Sequence, residues 1–256
     1  NNPIATAPLD IKREYAEALS LRYKLPPGKP DVDKHIPKSP DLGRPPGWIQ
    51  IGIGNNSILG NSLSLQIRPA YYDALDADSG HINNGALVMG DLRAEIYEDR
   101  IRIDWFDLIH LENVNPAISN LPGDRGLAWR LRIGAEQARL WCKDCLVARL
   151  QGDIGYGRQL FSRLFAATYL GGAIQNESAD QGLGFARTSA VLIAEPWSSF
   201  RMQLGYEYRY PISSDTLNYG VASLTTRWLL SQNKDLRIQF DYDEEKQLSV
   251  GIGVYW

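Results

Sequence analysis

The stretch that decides the fold is the last one in the chain, KQLSVGIGVYW, from Lys246 to Trp256. Leu248, Val250, Ile252, Val254 and Trp256 share one face of an extended chain, and Ser249, Gly251, Gly253 and Tyr255 share the other. This period of two residues indicates a β-strand with an apolar and a non-apolar side. The edge of a soluble sheet has the same pattern, so the assignment depends on whether the chain repeats it.

The pattern repeats from Trp48 to the end of the chain. Twelve alternating segments are separated by turn-forming residues, at about 48–55, 61–72, 86–97, 100–111, 127–137, 146–157, 162–174, 182–194, 199–210, 217–229, 235–243 and 247–256. In RIRIDW, for example, Ile101, Ile103 and Trp105 alternate with Arg100, Arg102 and Asp104. The alternation blurs between Leu160 and Ile193, where Arg163 and Arg187 mark the polar side only if the strand contains a bulge.

Residues 1–47 have a different pattern. An amphipathic helix is predicted from about Asp10 to Tyr23, and the proline-rich stretch that follows cannot continue it. We therefore predict two regions, a helix with a proline-rich tether at 1–47 and a β-domain at 48–256. His35 lies in the tether and is expected to be solvated.

Composition excludes some classes of function. The formal charge of the 256 residues is −3 and the pI is about 5.7, so no basic surface for nucleic acid is expected. No apolar run reaches the roughly 18 residues of a membrane-spanning helix, and NNPIATAPLD at the start does not resemble a signal peptide. Neither observation excludes membrane strands, which need only about 9–11 alternating residues. No cofactor is expected, because no glycine motif that would hold a phosphate occurs.

Alternation leaves open which face is inside. A soluble β-fold buries its apolar face, whereas a membrane barrel turns that face to lipid. Three features favour the barrel: apolar faces almost without charge, an even number of strands with no helices to cover them, and aromatic residues near strand ends. Those aromatic residues are Trp48, Tyr71, Tyr72, Trp105, Phe106, Trp129, Trp141, Trp197, Tyr208, Tyr210, Trp228, Tyr242 and Trp256. We predict an all-β fold, a transmembrane antiparallel β-barrel of about 12 strands, with a soluble β-fold as the alternative.

The polar faces then line the lumen. The predicted lumen-lining residues are Arg68, Arg93, Glu95, Arg102, Asp104, Arg130, Arg132, Glu136, Arg149, Asp153, Arg201, Glu207, Arg209, Arg227, Arg237 and Asp241. Arginines slightly outnumber carboxylates on these faces, which predicts a narrow lumen crossed by ion pairs, with a weak preference for anions.

Cys142 and Cys145 form the pair WCKDC. A CxxC pair is compatible with half a zinc site, a redox motif or a disulfide. A second CxxC pair and a neighbouring histidine are both missing, and no βαβ context surrounds the motif. We predict a disulfide across a hairpin tip, which indicates an oxidising compartment.

Candidates for chemistry are few. His81 is a weak catalytic candidate in DALDADSGHINN. The structural alternative is a cluster of turn residues, in which Asp, Asn and Gly satisfy the hydrogen bonds of their own backbone. Asp73, Asp76 and Asp78 are weak calcium candidates, although their spacing is not that of an EF-hand loop, so no metal is expected. His110, near a strand end, is expected to be structural.

The chain also resembles known proteins in two places. A final strand that ends on an aromatic residue resembles the C-terminal strand of bacterial outer-membrane proteins, and the resemblance implies that Trp256 is part of an assembly signal. The stretch LQIRPAYYDALDADSGHINNGALVMGDLRAEIY and the WRLRIG strand at 129–134 resemble the C-terminal barrel region of proteobacterial envelope proteins. Those proteins carry an Lnb-type periplasmic cysteine-hydrolase-like domain ahead of that region. No cysteine of this chain matches the nucleophile of such a domain.

The resemblance implies a barrel in the outer membrane of a Gram-negative bacterium that anchors a periplasmic domain, expected to be enzymatic, or a partner protein. The expected partners are outer-membrane lipid, the barrel assembly machinery and that periplasmic domain, and the chain alone is not expected to be an enzyme. The alternatives are a narrow solute channel with a charged lumen and a barrel-embedded lipid hydrolase. If both ends of the chain are periplasmic, the long connections 73–85 and 112–126 face the periplasm too.

Overall fold

A computed structural model of the protein describes residues 8–25, 43–76, 81, 83–114, 127–178, 182–212 and 218–256. The chain divides into a unit of residues 1–37 and a unit of residues 38–256. In the first unit, helix α1 spans Leu9–Lys24 and has no buried residue. Asp10 in its first turn and Arg22 and Lys24 in its last turn complement the helix dipole. Among the described residues, no helix is both long enough and apolar enough to cross a bilayer.

The second unit consists of antiparallel strands joined mainly by short turns. The strands are β1 Trp48–Asn56, β2 Gly60–Arg68, β3 Ala70–Tyr72, β4 Ala86–Ile96, β5 Ile101–Val114, β6 Leu127–Gln137, β7 Leu146–Phe161, β8 Leu164–Ser178, β9 Gly182–Trp197, β10 Phe200–Ile212, β11 Tyr219–Ser231, β12 Lys234–Tyr242 and β13 Lys246–Tyr255. The short β3 continues β2 after Pro69, which has no amide hydrogen for the ladder. With β2 and β3 counted as one, the described residues form the twelve strands that the sequence predicts.

The strands close into a ring. Each pairs with its neighbours in sequence, and β1 pairs with β13 from Trp48↔Tyr255 to Asn56↔Gln247. The ring is completed where β2 pairs with β4, from Leu63↔Ile96 to Ile67↔Leu92. Among the described strands, closure leaves only the short β3 paired on one side, with β4, so the barrel has almost none of the free strand edge that a bilayer would not tolerate. The predicted closed antiparallel barrel is confirmed.

The two faces of the strands have opposite environments. In β13, Leu248, Ile252 and Trp256 are exposed on the outside of the barrel, whereas Ser249 and Tyr255 are buried inside it. The same alternation exposes large apolar side chains along the other strands, including Ile51, Ile101, Ile154, Leu170 and Leu204. A continuous apolar exterior of this extent is suited to lipid rather than to water.

Aromatic side chains cluster on the outside at one end of the barrel. Trp197, Phe200 and Trp228 pack together there, with ring centroids 5.1 to 6.5 Å apart. Trp256, at the same end, is exposed as well. Amphipathic rings at this level are typical of a membrane interface.

Some of the aromatic residues noted near strand ends are not on the outer surface: Tyr72 is buried against the His81 ring, and Trp48 and Trp105 point into the barrel. Trp48 is fully buried, because Gly253 on the paired β13 leaves room for its indole ring: a Cβ at Gly253 would lie 2.2 Å from Trp48 Nε1. Trp105 points inward because β5 contains a bulge. The strand register shows the bulge: Arg93 pairs with Trp105, whereas the next residue on β4, Ala94, pairs with Ile103. Asp104 is the extra residue, so Asp104 and Trp105 both reach the lumen.

In the region where the alternation blurs, between Leu160 and Ile193, the inner faces are mixed in character. The inner faces of β8 and β9 carry apolar residues such as Phe165 and Val191 together with the buried Arg187. The register shifts between Gln159 and Phe161, and Arg163 lies in the turn that follows rather than on the inner face. Mixed inner faces of this kind have no clean alternation to detect.

Candidate functional site: the charged lumen

The polar side chains between the lipid-facing residues converge inside the barrel. Of the predicted lumen residues, the buried ones are Arg68, Arg93, Glu95, Arg102, Asp104, Arg149, Asp153, Arg201, Arg209, Arg227 and Arg237. The remaining ones, Arg130, Arg132, Glu136, Glu207 and Asp241, are half-buried. Buried charges are stable only when paired and hydrogen-bonded, and these residues are extensively paired.

Several contacts span the lumen. Arg93 on β4 forms an ion pair with Glu95 at 2.7 Å and donates to Gln239 on β12 at 2.7 Å and to Ser249 on β13 at 2.8 Å. Arg187 on β9 pairs with Asp153 on β7 and with Glu207 on β10, both at 2.5 Å. These side chains link strands that lie one to four positions apart around the barrel, and they leave only part of the lumen free.

At one end of the barrel a short segment, Asp73–Asp76, folds into the lumen; we call it the inner segment. Asp76 is almost completely buried and accepts hydrogen bonds from Arg68 at 2.5 Å, Arg237 at 2.9 Å and Tyr255 at 2.7 Å. Arg227 Nη1 donates to the same carboxylate at 3.0 Å. One carboxylate therefore joins β2, β11, β12 and β13.

The electrostatics of Asp76 follow from this setting. Burial alone would raise the pKa of Asp76, but the guanidinium groups of Arg68, Arg237 and Arg227 hold that pKa well below its usual range. Asp73, which contacts Arg68 and Arg237, also has a lowered pKa for the same reason. Both carboxylates contact arginines rather than forming a cation site, and Asp78 lies outside the described residues.

The other side of the inner segment is apolar. Ala74 packs in a buried cluster with Val114, Ala128, Phe165, Ala167, Tyr169, Val191 and Ile193 from β5, β6, β8 and β9. Further along the same connection, Asn84 accepts a hydrogen bond from Arg201 on β10 at 2.5 Å. The connection between β3 and β4 thus contacts most of the circumference of the lumen at this end.

At the opposite end, the turn Ala138–Trp141 between β6 and β7 reaches across the lumen; we call it the crossing turn. Its Leu140 amide donates to Asp243 at 2.9 Å, and its Leu140 carbonyl accepts from Asn56 at 3.0 Å. The Arg139 guanidinium lies 3.5 Å from the centroid of the Tyr219 ring on β11. The predicted disulfide, Cys142–Cys145, follows directly and is confirmed.

Between these two constrictions lies a cavity of about 420 Å³. Asp73, Ala74 and Leu75 border it on one side, and Ala138 and Leu140 border it on the other. Most of its remaining wall is charged or amide-bearing, with Gln50, Gln66, Gln203 and Gln239 among the contributors. Such a wall suits a small polar solute better than an apolar ligand.

Neither of the two described histidines, His81 and His110, has the partners of a hydrolytic site, and His35 lies outside the described residues. His81 Nδ1 lies 3.0 Å from the Asp76 carbonyl oxygen, and its ring stacks on Tyr72 with centroids 4.0 Å apart. His110 lies on β5 and borders the cavity. Within the described ranges, no serine hydroxyl is hydrogen-bonded to either ring, so the geometry that activates a serine is not seen there; Ser79 lies outside these ranges.

Sequence reasoning missed the inner segment, the crossing turn and the inward-facing Trp48 and Trp105. The only local signal for the inner segment was the density of aspartates after Arg68-Pro69. Turn chemistry explains that density equally well. Arg68 is close in sequence, but the other two arginines that bind these aspartates, Arg227 and Arg237, lie more than 150 residues away. The sequence of the crossing turn contains no feature that predicts its position, apart from the two cysteines that follow it.

Comparison with known proteins gives the family. The model of the domain of unknown function DUF7840 matches residues 37–256, which include every strand of the barrel. The chain belongs to the DUF7840 family. No curated protein matches the chain significantly.

Solved structures with some likeness to this DUF7840 barrel are outer-membrane proteins. A KdgM porin in complex with disordered oligogalacturonate is 7% identical, with 82% of this chain and 99% of that chain covered and a TM-score of 0.49. A NanC porin is 10% identical, with 80% and 98% covered and a TM-score of 0.46. An active-site mutant of outer membrane phospholipase A from Escherichia coli is 10% identical, with 85% and 93% covered and a TM-score of 0.45. At these scores nothing is carried over, and the fold follows from the strand pairing itself.

The DUF7840 barrel is an outer-membrane protein of a Gram-negative bacterium. Its ring of antiparallel strands satisfies the backbone with almost no free edge, its outer surface is apolar, and its interior is polar. This combination is typical of transmembrane barrels of the outer membrane.

Proposed function

We propose that the barrel is a narrow solute channel with a charged lumen, constricted at one end by the inner segment and at the other by the crossing turn. The observation that carries the proposal is the polar cavity of about 420 Å³ between the two constrictions. Side chains fill the interior of eight-stranded barrels and about 16–18 strands leave an aqueous channel, so a twelve-stranded barrel that keeps a polar cavity has room for a small solute.

The constrictions are built in a way that permits movement. The inner segment is held largely by ion pairs and hydrogen bonds between Asp73, Asp76 and arginines of the wall. The crossing turn is held through the backbone of Leu140 by Asn56 and Asp243. Short segments with a few polar anchors open at lower cost than barrel strands do.

The second candidate is the anchor for a periplasmic enzyme domain or partner, as the resemblance to the Lnb-type envelope proteins suggests. One observation favours it: the strand ends that the two long connections join, those of β3, β4, β5 and β6, lie at the end of the barrel where β1 begins and β13 ends. A working surface at that end would suit a partner on the same side. The candidate predicts no solute passage.

The test is solute uptake by liposomes that contain the refolded full-length chain. We expect slow swelling with small neutral sugars and a severalfold faster rate in Asp76→Ala, which frees the inner segment. Reduction of Cys142–Cys145 is expected to accelerate uptake through the crossing turn, whereas a Cys142→Ser, Cys145→Ser variant should not respond to the reductant. If all these proteins fold yet admit no more solute than empty liposomes, the channel proposal fails and the anchor is favoured.

A further inference from the structure

The charges that border the cavity are not balanced, although the lumen as a whole nearly is. Within the part of the chain that the structure describes, the cavity is bordered by six arginines, namely Arg102, Arg130, Arg132, Arg187, Arg209 and Arg237. The nine carboxylates that border it are Asp73, Asp91, Asp104, Asp107, Glu112, Glu136, Glu207, Asp241 and Asp243. The cavity wall therefore carries a formal excess of three negative charges.

Ion pairing concentrates this excess on one part of the wall. Each of the six arginines has a carboxylate partner, respectively Asp104, Asp153, Asp107, Asp153, Glu207 and Asp73. Besides Glu112, which accepts a hydrogen bond from the Tyr169 hydroxyl at 2.7 Å, three carboxylates of the cavity wall have no ion pair with any described arginine or lysine. Asp91 accepts from Gln66 and Trp105, Asp241 accepts from Gln239, and Asp243 accepts from backbone amides.

A fourth carboxylate is incompletely satisfied. Asp104 is 7% exposed and borders the cavity, and its Oδ1 accepts no hydrogen bond from any described residue. Arg102 Nη1 lies 3.3 Å away without hydrogen-bond geometry. Arg93 Nε also lies 3.6 Å from this carboxylate, and Oδ1 itself is buried, so a cation in the cavity would act on Asp104 through its charge rather than by a hydrogen bond to Oδ1.

Two of these carboxylates, Asp104 and Asp241, lie close to each other. Gln247 donates to Asp104 at 2.8 Å and is the register partner of Asp241, so both aspartates adjoin the same glutamine. Asp91 is the register partner of Asp107 on β5, a pairing of like charges across two strands. Like charges opposite each other destabilise a sheet unless a counter-charge lies between them. We call Asp91, Asp104, Asp241 and Asp243 the carboxylate wall.

We infer that the cavity binds small organic ammonium ions, such as diamines, against the carboxylate wall. An ammonium group supplies both the missing positive charge and the N–H donors that the carboxylate oxygens lack. Trp105, which also borders the cavity, adds an aromatic ring of the kind that attracts cations. This specificity reverses the weak anion preference that the arginine-rich strand faces predict, because the arginines that border the cavity are paired with carboxylates.

The biological use of such a site rests on the proposed channel, but its occupancy can be measured on a barrel that conducts nothing. The full-length chain is refolded in detergent with putrescine, succinate or neither, at equal ionic strength, and its thermal unfolding is followed. A ligand that binds only the folded state raises the midpoint. We expect putrescine to raise it and succinate, a dianion of similar length, to leave it unchanged.

Variants locate the site. Asp91→Asn with Asp241→Asn removes two charges that have no ion-pair partner, so the variant should fold, and without ligand it should unfold at a higher temperature than the wild type. Its apparent affinity for putrescine should fall at least tenfold. The single Asp241→Asn variant, with a smaller loss, serves as the second test of the site should the double variant fail to refold. Asp99→Asn, which removes an exposed turn carboxylate, should respond like the wild type.

Three results would overturn the inference: no putrescine effect up to about 50 mM, an equal effect of succinate, or an undiminished effect in the Asn variants. The outcome is separable from that of the channel proposal. Putrescine binding without solute uptake by liposomes would remove the channel and retain the site. Uptake of neutral sugars without a putrescine effect would retain the channel and remove the site.

Discussion

Asp76 is the residue on which one end of the lumen depends. Its carboxylate is shared by Arg68, Arg227 and Arg237, and Arg227 has no other carboxylate partner among the described residues. Removing one member of a buried ion network leaves the other charges without a counter-charge. The free energy lost in this way exceeds the free energy by which the intact network stabilised the fold.

Asp76→Ala should therefore lower the free energy of unfolding by about 3 kcal/mol, because it leaves a buried Arg227 unpaired. Equilibrium unfolding in urea, with the chain in lipid or detergent, measures the change. Asp99→Ala, an exposed turn carboxylate of the same chemistry, is the control and should change stability by less than about 0.5 kcal/mol. Equal effects of the two substitutions would show that the Asp76 network does not stabilise the barrel.

The lowered pKa of Asp76 adds a pH dependence with a definite sign. In the unfolded chain an aspartate titrates near pH 3.9, and in the folded barrel Asp76 titrates well below its usual range. Its contribution is therefore fully present above about pH 4 and is lost as the pH falls through the folded-state pKa. We expect the stability difference between wild type and Asp76→Asn to be constant from neutral pH to about pH 5 and to shrink in stronger acid. A difference that grew on acidification would contradict this assignment.

At the scale of elements, the packing of side chains against β13 explains why its inner face carries glycine. A Cβ at Gly253 would lie 2.2 Å from both Trp48 Nε1 and Asp235 Oδ1, so a side chain there would displace the Trp48–Asp235 hydrogen bond. A Cβ at Gly251 would similarly meet the Gln50 side chain. The small residues on this strand leave space that the polar and aromatic side chains of β1 and β12 fill.

Gly253→Val should lower the free energy of unfolding by about 1–3 kcal/mol through overpacking, and should expose the Trp48 indole to a more polar environment. Urea unfolding and tryptophan fluorescence report the two effects. Ile252→Val, one residue away on the lipid-facing side, is the matched control and should leave the fluorescence unchanged. A tolerated valine at 253 with native fluorescence would mean that Trp48 does not occupy this space.

The elements also show what the sequence can predict. The twelve strands and the faces of β12 and β13 follow from local alternation, because inside and outside of a barrel differ at every second residue. The bulge at Asp104 and the inward Trp48 do not, since each depends on a partner strand. The inner segment and the carboxylate wall depend on contacts between residues far apart in sequence, for which one chain contains no signal.

At the scale of the whole molecule, the barrel is apolar outside, ion-paired inside, and constricted at both ends. Ion pairs link the strands of the wall, so in the proposed channel the route for a solute would be set by the two connections that can move, the inner segment and the crossing turn. Both are connections outside the barrel ladder, and neither has to break strand pairing to move. Gating of the lumen should therefore leave the barrel folded.

Single-channel conductance across a planar bilayer is the direct test of this gating. For the oxidised wild type we expect at most small, brief current steps, and for Asp76→Ala after reduction of Cys142–Cys145 we expect larger and longer steps. Folding is checked by comparing unheated and boiled samples in SDS electrophoresis. A variant that keeps the folded mobility but conducts no more than the wild type would contradict the claim that these two segments control a path through the lumen.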